Sequence, residues 1–74
     1  MPDARSALQE YCQAKCLALP EYRLVSSTGP DHNPVFAISV IIDGTEAGTG
    51  IGRTRKAARE AAAARALENF ERMV

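Results

Sequence analysis

Residues 50–67 read Gly-Ile-Gly-Arg-Thr-Arg-Lys-Ala-Ala-Arg-Glu-Ala-Ala-Ala-Ala-Arg-Ala-Leu. A glycine-broken segment runs into Thr54, a good helix cap, and then into a helix expected to continue to about Met73. Four cations, Arg53, Arg55, Lys56 and Arg59, fall within the seven residues 53–59 around its start. A helix N-terminus already carries unpaired N–H groups and partial positive charge, so the added cations make a phosphate clamp. Behind it, Ala62, Ala63, Ala66, Leu67 and Phe70 recur at helical spacing and form a stripe suited to close packing on a sheet. That stripe, extended backwards, meets Arg59, Lys56 and Arg55. Cations cannot be buried unpaired, so the first turn or two should overhang the sheet and point past the core.

Upstream of this helix the period changes from helical to alternating. Val35–Ile42 is the clearest strand, with Phe36, Ile38, Val40 and Ile42 directed to a core. Asp43-Gly44-Thr45 is hairpin-turn chemistry, and Glu46 to Ile51 is a short strand carrying Gly48 and Gly50. Glu21–Thr28 is a further strand, with Tyr22 and Leu24 on one face; residues 29–34 between these strands are dense in turn formers. Residues 3–16 form a first helix that Asp3 can cap. Ala4, Ala7, Leu8 and Tyr11 make its apolar face, with Cys12 at the margin, and Leu17–Pro20 ends it. The order is α-β-β-β-α, without repeats, linkers or low-complexity segments: one small domain over residues 1–74, ordered from about 3 to 73.

The other face of the first helix is polar but hardly charged. Ser6, Gln9, Glu10 and Gln13 follow i, i+3, i+4, i+7 spacing and lie within about 100° on a helical wheel.

Net charge is zero over 74 residues, yet it is unevenly placed. Residues 1–52 hold three Lys/Arg against six Asp/Glu, whereas residues 53–74 hold six against three. Such local positive charge suits a specific phosphate contact better than general polyanion binding. The sequence shows no apolar run long enough to span a membrane and no signal-peptide pattern, and Met1 before Pro2-Asp3 looks like an added start. Cys12 and Cys16, four apart on a helix, have Cβ atoms about 5–6 Å apart, too far for a disulfide, which wants roughly 3.5–4.5 Å. They are expected to be reduced, half-buried thiols of a cytoplasmic protein. Metal binding would need more ligands than these and the distant His32. Residues 48–52 lack the spacing of nucleotide-binding glycine loops.

Taken together, Leu8-Gln9-Glu10, Pro20-x-Tyr22, Gly29-Pro30-x-His32, Phe36 and Gly50-x-Gly52-x-Thr54-Arg55-Lys56-x-Ala58-Arg59-x-x-Ala62-Ala63-x-x-Ala66-Leu67 resemble the double-stranded RNA-binding domain. The match covers nearly the whole chain in order and spacing. The opening Asp3–Tyr11 looks most like the carboxy-terminal domain of bacterial ribonuclease III. The resemblance implies an α+β fold with both helices on one face of a three-stranded antiparallel sheet. It also implies three RNA contacts. Ser6, Gln9, Glu10 and Gln13 would meet 2′-hydroxyls in one minor groove; His32 and the backbone around Pro30 would enter the next; Arg55, Lys56 and Arg59, with Thr54 and Arg53 beside them, would bridge the intervening major groove through phosphates. Such a domain spans about 16 base pairs.

Departures from the family pattern are mild. Arginine stands for lysine at positions 55 and 59, Gly52 adds flexibility before the clamp, and Pro34 stiffens the exit of the His32 loop. Arg65 and Arg72 are expected to be solvated and paired with glutamates one turn away. Catalysis is not expected of this chain, which has no convergent acidic cluster for Mg²⁺. If the parent is ribonuclease III, the Mg²⁺-dependent nuclease domain precedes this segment and makes the parent a homodimer. The alternatives are a freestanding RNA-binding adaptor and a domain turned to protein–protein contact.

Overall fold

A computed structural model describes residues 3–29 and 32–72. The elements are α1 (Ala4–Ala14), β1 (Glu21–Thr28), β2 (Val35–Ile42), β3 (Thr45–Gly52) and α2 (Arg55–Arg72). The strands form one antiparallel sheet in the order β1-β2-β3. This is the expected α-β-β-β-α architecture.

The hairpin between β2 and β3 follows from its turn residues. Asp43 and Gly44 take positive φ, 53° and 77°, giving the two-residue turn whose twist matches the flanking strands. Each strand pair also contains an irregularity. Val25 bulges out between Leu24 and Ser26 of β1, and Ala47 does so in β3 opposite Val40 and Ile41. Leu24, expected on the core face with Tyr22, is 45% exposed. It lies on an edge strand, while α2 covers β2 and β3.

The core joins Leu8 and Cys12 of α1, Val40 and Ile42 of β2, and Ala62, Ala63 and Ala66 of α2. Tyr11 and Phe70 stack at its margin, with ring centroids 4.8 Å apart and planes at 10°. Cys12 is therefore central rather than marginal, and the two thiols are unlike: Cys12 is buried and Cys16 exposed. The reason lies at the end of α1. The helix stops at Ala14, Cys16 takes a left-handed φ of 58°, and the Leu17 N–H turns back to the Cys12 carbonyl at 2.8 Å.

Between α2 and β3 the contact is backbone against backbone. Gly48, Gly50 and Gly52 alternate on the helix-facing side of β3, where added Cβ atoms would collide with the α2 main chain at Ala66, Ala62 and Ala58. Gly52 thus serves close approach rather than flexibility. Ala58 is fully buried and Ala57 lies against Gly52, so α2 rests on the sheet from its first turn and does not overhang it. Its basic side chains nonetheless escape full burial. Arg55 and Lys56 are exposed and Arg59 is half-buried.

Candidate nucleic-acid interface

Three regions carry the polar groups singled out above. On α1, Ser6, Gln9, Glu10 and Gln13 are all exposed, opposite the buried Leu8 and Cys12. The helix start is doubly secured. Asp3 Oδ1 accepts the Ser6 N–H at 2.8 Å, and Glu60 Oε2, from α2, accepts the Ala4 N–H at 3.0 Å. The Ser6 N–H, the largest influence on the Asp3 carboxyl, holds it below its ordinary value of 3.8. Arg5 lies over the Tyr22 ring, 5.7 Å from its centroid, and burial pushes the Tyr22 phenol up from 10.0. A cleft of 470 Å³ runs beside this end of α1, lined by Asp3, Arg5, Ser6, Gln9, Leu19, Pro20 and Tyr22.

The second region is the loop between β1 and β2. His32 is exposed there, whereas Pro30 lies outside the described residues. Gly29 closes the loop with φ 94°, and a Cβ on it would come within 2.6 Å of the Asn33 carbonyl oxygen. Asn33 Oδ1 accepts a hydrogen bond from Arg53 Nη1 at 2.7 Å.

The third region is the start of α2. Thr54 caps it as expected, its Oγ1 accepting the Ala57 N–H and its carbonyl the Ala58 N–H, each at 3.0 Å. Arg55 leans over Phe36, 5.7 Å from the ring centroid. The pairing expected for Arg65 and Arg72 does not form. Among the described residues the recorded ion pair is Arg23 with Glu21, on the edge strand.

Hydrogen bonds join both outlying regions to the beginning of α2: Glu60 reaches α1, and Arg53, just before the cap, reaches the His32 loop. Sequence reading missed Glu60, Arg5 and Asn33 as members of the site. Glu60 and Ala4 are 56 residues apart, and Arg53 and Asn33 are 20 apart, so no local pattern pairs them.

Comparison with known proteins agrees with this architecture. The family model described as "Double-stranded RNA binding motif" matches residues 4–70. Ribonuclease 3 of Allorhizobium ampelinum is 47% identical over 66 residues, covering 89% of this chain and 28% of that protein. Ribonuclease 3 of Aliarcobacter butzleri is 41% identical over 69 residues, covering 93% of this chain and 31% of the relative. The chain thus spans less than a third of the length of these curated relatives. Among solved structures, Arabidopsis HYL1, described with implications for miRNA processing, superimposes with a TM-score of 0.79 at 38% identity, over 92% of this chain and 96% of that one. The second double-stranded RNA-binding domain of DRB4 gives 0.69 at 30% identity, over 95% and 97%.

Proposed function

Because the chain belongs to the double-stranded RNA-binding motif family, we propose that it binds duplex RNA by shape, as the substrate-binding part of a ribonuclease III. Ser6, Gln9, Glu10 and Gln13 offer donors and acceptors to 2′-hydroxyls, which both donate and accept, in a minor groove too uniform to be read base by base. A carboxylate such as Glu10 fits this role as an acceptor of a hydroxyl proton. His32, with the backbone near Pro30, meets the next minor groove. Thr54, Arg55, Lys56 and Arg59 face phosphates across the major groove between them, where arginine adds forked hydrogen bonding to charge.

What supports this reading most is the arrangement around α2. The clamp is hydrogen-bonded through Glu60 to the helix carrying the polar face and through Arg53 to the loop carrying His32. Three contacts on a rigid duplex need a fixed spacing, and these bonds favour one.

In this reading RNA cleavage belongs to the remainder of a longer parent enzyme. Among the described residues no group of three or more His, Cys, Asp or Glu converges to hold a metal ion. In this reading Mg²⁺ would be held in the nuclease portion, through which the parent would form a homodimer. The parent would act in the cytoplasm, on RNA. No helix of the described residues is long and apolar enough to cross a membrane. The curated relatives are ribonucleases, which favours this parentage over a freestanding adaptor.

Lys56→Ala tests the clamp. It should weaken binding to every duplex sequence alike and flatten the dependence of log affinity on log salt by roughly one contact's worth. A slope equal to that of the unmodified chain would remove Lys56 from the phosphate contacts.

A further inference from the structure

On the footing of the RNA reading above, we propose that Arg53 is a positioning residue: it fastens the His32 loop to the clamp through Asn33 and presets the spacing between the minor-groove and major-groove contacts. Cations near a nucleic acid usually suggest a phosphate contact. The geometry of Arg53 points elsewhere.

Its backbone is fixed on both sides. Gly52 is pressed beneath Ala57 and Ala58, and Thr54 is locked as the cap of α2. From this anchored position Nη1 donates to Asn33 Oδ1 at 2.7 Å, a charge-assisted bond at the short end of its range. Asn33 is the closing point of the loop, backed by Gly29 and followed by Pro34, whose ring restricts the chain entering β2. The strand register brings the two together. Phe36 pairs with Gly52, so the loop before Phe36 and the cap after Gly52 run off the same end of the sheet. Arg55 adds a second tie over Phe36. Two arginines flanking the cap therefore brace the base of the loop.

The benefit is preorganisation. A loop held before RNA arrives does not have to be ordered on binding, so more of its contact energy appears as affinity. A latch and a phosphate contact make opposite predictions for Asn33, which is neutral.

The test measures affinity for one RNA duplex of about 20 base pairs, longer than the family footprint, over a salt series. The chains compared are the unmodified protein, R53A, N33A and the double variant, with K56A as the phosphate-contact reference. The latch predicts that R53A and N33A each weaken binding about three- to tenfold, the scale of one ordinary solvent-exposed hydrogen bond. The double variant should be no weaker than either single one, and both single variants should keep the unmodified salt slope. Normal affinity in N33A, combined with loss of roughly one unit of slope in R53A, would overturn the proposal and make Arg53 a phosphate contact. Additive losses would overturn it too. Asn33 is exposed, so N33A alone carries the comparison should R53A fail to fold. If the unmodified chain does not bind duplex RNA, the underlying reading fails as well, and that result is separable from a normal N33A.

Discussion

Gly50 of β3 lies directly beneath Ala62 of α2, so that a Cβ placed on Gly50 would fall on the Ala62 amide nitrogen and 2.5 Å from the Ala58 carbonyl oxygen. Neither obstacle is a side chain that can swing away. The helix carrying the clamp is therefore held at a height set by the absence of atoms on β3.

Gly50→Ala should lift α2 from the sheet and cost about 3 kcal/mol or more, at the upper end for overpacking. Gly44→Ala provides the contrast. Gly44 has open space around it but a φ of 77°, so the cost should stay near about 1 kcal/mol. Urea unfolding of both variants checks the ranking, and equal losses would show that α2 can slide.

Cys16 holds a left-handed conformation that glycine adopts freely. Cys16→Gly should stabilise the domain by about 1 kcal/mol and raise Tm by about 5 °C. Thermal unfolding followed by circular dichroism reads this directly, and a lower Tm would mean that the side chain contributes more than its strain.

The two thiols should differ in reactivity. Burial, and then the negative charge of Asp43, push the Cys12 thiol up, whereas Cys16 is exposed. An aromatic disulfide reagent should titrate one thiol in the native chain and the second only on unfolding. Rapid modification of both would contradict the central placement of Cys12.

The cap of α1 predicts an acid dependence. Because the folded Asp3 carboxyl is held below its ordinary 3.8, its contribution to stability is present above that value and is lost as pH falls through the lowered one. Asp3→Asn keeps a capping side chain but removes the titration. The stability difference between the unmodified chain and Asp3→Asn should therefore shrink as pH falls from above 3.8 through the lowered value of the folded carboxyl. A difference constant across that range would show that Asp3 is not held by the Ser6 N–H.

Much of this architecture is legible in the residues. The bounds of β1 and β2 follow from alternating apolar residues between turn formers, and Thr54 marks the start of α2 by its chemistry alone. What escapes local reading is decided by the third dimension. Gly52 looks like a point of flexibility until a helix is seen lying on it. Cys12 looks marginal on a helical wheel because the wheel does not know that α2 closes over that side. The Val25 and Ala47 bulges are properties of strand pairs. In the candidate interface, the exposed polar face of α1 and the basic start of α2 were predictable, but the Glu60–Ala4 and Arg53–Asn33 bonds that join them were not.

The central claim is that the polar face of α1 and the His32 loop choose RNA while the clamp supplies affinity. One competition measurement tests it most directly: affinities for RNA duplex, DNA duplex and RNA–DNA hybrid of the same sequence, each at two salt concentrations. The account predicts that the RNA duplex is preferred and keeps its advantage at the higher salt, because 2′-hydroxyl contacts release no counterions. Equal affinity for all three at both concentrations would contradict it.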